Sequence, residues 1–215
     1  MTTIAPEPGL RERKRQATRR AIQLAVIDLV AERGLEGTTV DEISRVADVS
    51  PRTFFNYFAS KEEAVVGDLP ALPAPEYIER FVAAGGSQPL LDGLAEFIVE
   101  TIGVETQDQE LMQRRKDVLH QYPQLFAIRL GRMRKVEEEL AAIIARRIQT
   151  SGTTDSQETV ASRARLIAYV SFATMRHAWS CWASGEPNSK LPERVRESFA
   201  ELRSILASEA QPNLG

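Results

Sequence analysis

The sequence predicts an all-α protein: a small N-terminal unit of three helices in helix-turn-helix arrangement, followed by a larger helical domain. Three observations carry this. Nearly every periodic apolar stretch repeats at helical spacing, with no convincing period-two alternation. Three helix starts with clear capping signatures fall between Thr39 and Glu63. Finally, Pro70, Pro73 and Pro75 interrupt the chain, which divides it into domains at 9–67 and 68–209.

The elements follow in order. Residues 1–8 contain two prolines and predict no regular structure. A long helix fits 10–33, where Ile22, Ala25, Val26, Leu29 and Val30 form one apolar stripe and Gly34 ends it. Thr39 to Glu42 reads as a capping box that opens a second helix to Ala47. Asp48 and Val49 make a tight turn. Ser50 then caps a third helix with Pro51 at its first position, where the missing N–H costs nothing, and this helix runs to Phe58. Ser60 to Glu63 opens a fourth. Further helices fit 75–84, 88–105, 108–121, 124–149, 157–184 and 191–209, with breakers at Gly85-Gly86, Pro123, Ser151-Gly152 and Gly185–Pro187.

Composition narrows the function. The net charge is −3, yet residues 9–20 (GLRERKRQATRR) hold six basic residues against the single Glu12. A basic segment in an acidic chain points to a local anionic partner or to a solvated helix start. One cysteine, Cys181, excludes an internal disulfide framework, and two histidines make a structural metal site improbable, so the expectation is no metal and no cofactor. No apolar run reaches the length of a membrane span, and the opening MTTIAPEPG lacks the apolar stretch of a signal peptide, so a cytoplasmic, non-membrane protein is expected. His177, Trp179, Cys181 and Trp182 share one helix. Without a third orienting group and a pocket they read as core or interface filling, and no catalytic residue is expected.

Two short helices joined by a three-residue turn have the geometry that lowers a recognition helix into the major groove. Ile43, Ala47, Phe54 and Phe58 would face inward, leaving Pro51, Arg52, Thr53 and Asn56 outside. Arginine grips guanine through two hydrogen bonds, and a threonine methyl meets that of thymine. Free N–H groups at the helix starts near Thr39 and Lys61 suit phosphates. A structural hairpin with a charged exterior remains the alternative from the residues alone, in an all-α enzyme or a scaffold.

The stretch Arg19–Val65, ending GLEGTTVDEISRVADVSPRTFFNYFASKEEAV, resembles the TetR-type (TetR/AcrR) DNA-binding domain. The resemblance rests on Gly34-Leu35, Thr38-Thr39-Val40, Ile43, Ala47, Val49-Ser50 and the Thr53–Phe58 helix running into Ser60-Lys61-Glu62. It implies a DNA-binding domain over 9–67 whose contacts come from Thr38, Thr39, Arg45, Ser50, Pro51, Arg52, Thr53, Phe55, Asn56, Tyr57 and Lys61. Thr39 and Lys61 would hold phosphates, Tyr57 would lay its hydroxyl on the backbone, and Pro51, Arg52 and Thr53 would face the bases. Three departures stand out. Asp48 replaces a usual glycine, Phe55 replaces a frequent tyrosine and loses its phosphate hydrogen bond, and Arg52 stands where a small residue is common.

The resemblance also implies a ligand-binding and dimerisation domain over 68–209, a homodimer through the last two helices, and a repressor released from palindromic double-stranded operator DNA by a small-molecule effector. A small-residue face (Ala161, Ala164, Ala168, Ser171, Ala178) and a stripe of Val195, Phe199, Leu202 and Leu206 fit that interface; an intramolecular core explains any single residue almost as well, but the two stripes together favour the dimer. Phe97, Phe126, Met133 and Phe172 are the expected apolar wall of the effector site, with His120, Tyr122 and Arg129 as polar anchors or plain surface. The segment RRKDVLHQYPQLFAIRLGRMRKVEEELAAIIARR resembles actinobacterial members of the family associated with mycofactocin or fatty-acyl metabolism, which implies an acyl-type ligand.

Overall fold

A computed structural model of the chain describes residues 9–68, 72–102, 108–184 and 190–209. Among them are ten α-helices and no strand: α1 Leu10–Arg33, α2 Val40–Val46, α3 Pro51–Tyr57, α4 Lys61–Val66, α5 Pro75–Ala83, α6 Leu90–Thr101, α7 Gln109–Gln121, α8 Pro123–Thr150, α9 Gln157–Ala183 and α10 Leu191–Glu209. A single 3₁₀ turn, Gly85–Ser87, joins α5 to α6. The predicted bounds agree within one or two residues except at α6, which ends at Thr101; the rest of its predicted span, residues 103–105, lies outside the described residues, as do Pro70 and the breaker at Gly185–Pro187.

The helix starts are built as their sequence signatures require. Thr39 Oγ1 accepts from Glu42 N while the Glu42 carboxylate accepts from Thr39 N, a complete capping box. Ser50 Oγ accepts from Thr53 N at 3.0 Å, with Pro51 behind it. Ser60 Oγ accepts from Glu63 N at 3.1 Å. Asp48, between α2 and α3, takes φ of 53°, the left-handed conformation that aspartate tolerates better than most residues.

The chain forms two compact units, and their division differs from the one read off the proline break. The first comprises the described residues up to Asp68 together with Glu110–Arg129; the second holds the described residues of 69–109 and of 130 onward. The reason is burial. Leu111 and Val118 of α7 and Leu125 of α8 pack into the same apolar cluster as Ile22, Val26, Ile43, Phe54, Phe58 and Val65. Sequence periodicity shows that a helix has an apolar face but not which neighbour covers it.

Polar contacts within the first unit converge on the two ends of α4. Lys61 Nζ donates to the carbonyls of Leu35 (2.7 Å) and Thr38 (2.9 Å). At the other end Arg115 Nε donates to Val65 O and an Arg129 guanidinium nitrogen to Val66 O, both at 2.9 Å, so cations occupy the negative end of the helix. Gly67 follows with φ of 74°, and a Cβ there would stand 2.5 Å from the Arg115 guanidinium carbon. Glycine is thus required both by conformation and by space.

In the second unit α10 packs on α9 and α6, and α5 on α6. Ala164, Ala168, Ser171 and Ala178 are buried along α9, while Val195 and Phe199 are buried on α10. Arg196 donates twice to the Glu96 carboxylate, at 2.7 and 2.9 Å, and its guanidinium holds that carboxyl below the usual range. The fully buried Arg147 donates to Phe81 O and Gln88 O and lies over the Phe81 ring at 4.4 Å, so it staples α5 to the start of α6. Gly93 makes room for it: a Cβ there would overlap the Arg147 guanidinium.

One ion pair fixes the angle of α3. Arg19 Nε donates to Asp68 Oδ2 at 2.8 Å, a second nitrogen donates to Tyr57 O at 3.0 Å, and its guanidinium lies over the Phe58 ring at 4.2 Å. Burial pushes the Asp68 carboxyl up, but the hydrogen bonds and charge of Arg19 outweigh this and leave it below the ordinary value. With the folded value depressed, the pair's contribution is present above the unfolded carboxyl value of about 4 and is lost as pH falls through the folded one. Urea unfolding across that acid range should therefore show wild type losing stability where Asp68→Asn, already lacking the pair at neutral pH, loses less. Parallel pH profiles for the two proteins would remove Asp68 from the acid response.

Candidate nucleic-acid interface

The three N-terminal helices present one outward face, and its composition follows from what is turned in. Phe54 and Phe58, one helical turn apart, are buried with ring centroids 6.0 Å apart, and Ile43 is fully buried beside them. Ala47 lies half-buried against the same cluster. With those positions committed to the core, Pro51, Arg52, Phe55 and Asn56 of α3 are exposed, as are Arg45 at the end of α2 and the cap Ser50. Arg52 makes no ion pair or hydrogen bond among the described residues. Phe55 is held edge-on against Phe54, centroids 5.4 Å apart at 89°.

Several expected contact residues are engaged elsewhere. Thr38 is buried, and its hydroxyl donates to Gly34 O at 2.9 Å, so its side chain belongs to the α1–α2 turn. The Lys61 ammonium, expected at a phosphate, instead holds the two carbonyls of that turn. Thr53 shares its hydroxyl with Ser50 at 2.8 Å, which leaves its methyl as the free part. Tyr57 is half-buried against the core, and its carbonyl is taken by Arg19. At Thr39 the hydroxyl is exposed but donates to the Glu42 carboxylate at 3.0 Å. That carboxylate, held below the usual range by the Thr39 hydroxyl and amide, also pairs with Arg33. A phosphate at the start of α2 would have to displace it.

The basic segment is equally divided. Arg11, Arg13, Lys14 and Arg20 are exposed on α1, Arg15 pairs with Glu12, and Arg19 is the internal clamp described above. Arg19 was indistinguishable in sequence from its neighbours; its partner Asp68 lies 49 residues away.

The second unit holds a narrow apolar cavity of about 20 Å³. Phe97, Ile98 and Thr101 of α6 line it together with Val136 and Leu140 of α8. Ser171, Phe172 and Met175 of α9 and Leu72, just before α5, complete the wall. Of the seven expected effector residues, Phe97 and Phe172 are here. Met133 is half-buried and not part of the lining. His120, Tyr122, Phe126 and Arg129 belong to the first unit and have other work there. Tyr122 Oη accepts from Leu35 N at 3.2 Å, Arg129 holds α4, the exposed His120 donates to Lys116 O, and Phe126 is exposed. Apart from Leu72, the missed lining residues are spaced i, i+3 or i, i+4 on three helices, a pattern shared with ordinary core.

A wider surface groove is bounded by Glu79, Val82, Arg146 and Thr150, with the Glu79–Arg146 ion pair across it. On α9, His177 Nδ1 lies 3.1 Å from Ser198 Oγ and Nε2 lies 3.5 Å from Cys181 Sγ. His177 and Cys181 are exposed rather than filling a core, and neither cavity is lined by any of the three. No group of metal ligands occurs, and no helix is long and apolar enough to cross a membrane, among the described residues.

Comparison with known proteins identifies the family. The family described as bacterial regulatory proteins, tetR family, matches residues 25–65, and the MftR C-terminal domain matches residues 88–207. The HTH-type transcriptional regulator TcmR of Streptomyces glaucescens is 33% identical over 145 residues, which span 65% of this chain and 64% of that protein, less than two thirds of its length. Among solved structures, the transcriptional regulator FadR from Bacillus subtilis in complex with stearoyl-CoA is 18% identical with a TM-score of 0.49, covering 85% of this chain and 96% of that one. The TetR-family regulator PfmR from Thermus thermophilus is 17% identical with a TM-score of 0.45, covering 84% and 95%. The chain belongs to the TetR family of bacterial transcriptional regulators, with a C-terminal domain of the MftR type.

Proposed function

We propose that this regulator is a dimeric repressor whose α3 enters the major groove of a palindromic operator and which a small, largely apolar effector releases. The observation that carries the reading is the amino-terminal face of α3. Buried Phe54 and Phe58 fix its direction, and Arg52 stands on it exposed and unpaired among the described residues. Arg45, Arg11, Arg13, Lys14 and Arg20 supply charge for the backbone. Ser50, Pro51, Thr53, Phe55, Asn56 and Thr39 complete the proposed contact surface, while Thr38, Tyr57 and Lys61 support it from behind. The proposed functional domains remain 9–67 and 68–209, with α7 as structural support for the DNA-reading unit.

Dimerisation is proposed through the outward faces of α9 and α10. The stripe read from sequence needs correction first: Val195 and Phe199 are buried within the chain, as are Ala164, Ala168, Ser171 and Ala178. What is left outside is apolar nonetheless. Leu166 (63% exposed) and Tyr169 (52%) on α9, with Ile205 and Leu206 on α10, supply a face that a second copy would cover. Two α3 helices in successive grooves then require centres about 34–36 Å apart.

The effector reading is supported by the cavity and by Leu72, which lines it six residues beyond Val66, the last residue of α4. A ligand there would press on the connector that leads to α4 and to its Arg115 and Arg129 contacts. Release by about 100-fold requires roughly 2.7 kcal/mol of preference for the DNA-incompetent state. The cavity's apolar wall is compatible with an acyl-type ligand.

Three outcomes are expected. In a gel shift on DNA flanking its own gene, Arg52→Ala should cost about 1–3 kcal/mol per half-site and relax preference at one base position; equal losses on operator and random DNA would reduce Arg52 to a phosphate contact. Neutralising Arg13 and Lys14 should weaken all DNA binding and flatten log affinity against log salt by about one unit for each phosphate no longer neutralised, and an unchanged slope would place that arm off the DNA. Leu166→Glu with Tyr169→Glu should give a helical monomer with poor operator binding, whereas Phe199→Glu should unfold; sedimentation of the double variant as a dimer would move the interface.

A further inference from the structure

We propose that His177 and Cys181 on α9 form an exchangeable site for a thiophilic divalent cation such as zinc, with Ser198 of α10 orienting the imidazole. The site goes beyond the regulatory reading and does not depend on it. Its placement follows from what α9 buries. Ala178 and Trp182 are turned into the second unit, and each immediately follows one member of the pair. His177 and Cys181 are therefore held one helical turn apart on the exposed side.

The distance between them has the size a metal needs. His177 Nε2 stands 3.5 Å from Cys181 Sγ. Zinc binds imidazole nitrogen at about 2.0–2.1 Å and thiolate sulfur at about 2.3 Å, and a tetrahedral angle of about 109° between them spans about 3.5 Å. In the metal-free chain the same spacing carries a weak hydrogen bond, whose proton the cation replaces. Bonds from sulfur and nitrogen to the metal form, the thiol proton passes to solvent, and water leaves the ion.

The imidazole is anchored from a second helix. Its Nδ1 lies 3.1 Å from Oγ of the buried Ser198. When that hydroxyl accepts from Nδ1–H, Nε2 keeps the lone pair that coordination requires. Sulfur sets the class of ion: thiolate and imidazole favour zinc and its neighbours over magnesium or calcium, which take oxygen. Among the described residues no three or more His, Cys, Asp or Glu side chains gather to hold a metal, so water takes the remaining positions. Such an open site exchanges its ion, unlike the closed four-ligand structural site that the composition argues against.

Equilibrium dialysis of the reduced, metal-free full chain against Zn2+, in a large excess of Mg2+, tests this. One zinc should bind per chain. Cys181→Ser and His177→Gln, both at exposed positions, should keep the helical content. Each should lose more affinity than the roughly tenfold to hundredfold that a missing outer partner costs. Ser198→Ala should fall within that range and Ser198→Thr, which keeps the hydroxyl, should recover; an unaffected Ser198→Ala would overturn the part given to Ser198. Cys181 is the only cysteine, so alkylation by iodoacetamide reads the site directly. Saturating zinc should suppress that alkylation in wild type, and the same zinc concentration should leave it running in His177→Gln. Absence of zinc binding to wild type, displacement by Mg2+, undiminished binding in either folded ligand variant, or alkylation indifferent to zinc would each overturn the proposal. Half a zinc per chain would do so too, since the ion would then be shared between two copies.

Discussion

Everything the N-terminal unit offers to a partner depends on the burial of Phe54, on a helix of only seven residues, and of Phe58, the extended residue that caps it. So short a helix is not stable alone, because nucleation costs more than its few hydrogen bonds return. Its direction is therefore set by packing. The two rings enter the cluster formed by α1 and α2, Arg19 covers the Phe58 ring, and the same guanidinium ties off the Tyr57 carbonyl and Asp68. The positions left outside are consequences of that choice, since a side chain at i or i+4 that faces in forces i+1 and i+2 to face out. Arg52 and Phe55 are exposed for the same reason that Phe54 is not.

The unit also shows why basic residues cannot be counted as DNA contacts from sequence. Arg19, Lys61, Arg115 and Arg129 all work inside it, on carbonyl oxygens at helix ends and turns. The last four carbonyls of each helix lack intrahelical partners, and a short helix has few others, so its ends are a large share of its unsatisfied groups. A cation placed there satisfies an acceptor and complements the helix dipole at once. Arg11, Arg13 and Lys14 lie instead in the opening turns of α1, at the opposite end of that helix from its last carbonyls.

What was legible in the sequence follows the range of the interaction involved. The caps at Thr39, Ser50 and Ser60, the left-handed Asp48 and the inward phenylalanines are local, spanning three or four residues, and the helix bounds came with them. Pairings across the chain were not legible. Tyr122 meets Leu35 and Arg114 meets Asp28, each across more than eighty residues, so α7 and the first turns of α8 join the first unit although the proline break assigns them to the second. Of the expected effector wall only Phe97 and Phe172 come together at the cavity, for the same reason. His120, Tyr122 and Arg129 look like polar anchors in an apolar stretch, but their partners are Lys116 and the carbonyls or amides of the DNA-reading unit. The expected dimer stripe divides differently: Val195 and Phe199 are buried within the chain while Leu206 is exposed, and a helix covered by its own chain has the same periodicity as one covered by a second copy.

The topology bears on how the signal of the proposed effector would be carried. The chain passes from one unit to the other three times, and the third passage lies inside α8 between Arg129 and Leu130. Arg129 holds the last carbonyl of α4, while Val136 and Leu140, two and three turns further along the same helix, line the cavity. The segment around Leu72 offers a second covalent route from the cavity to α4. An α-helix transmits a displacement along its axis because its hydrogen bonds make it stiff. If α8 is the carrier, the hydrogen bond from Arg129 to Val66 is where a shift of that helix is felt. If the Leu72 segment is the carrier, Gly67 is the joint, since it combines a left-handed φ with close packing against Arg115 and cannot turn without moving that guanidinium. Both routes end on the same two arginines at the carboxyl end of α4, the helix separated from the end of α3 by only three residues.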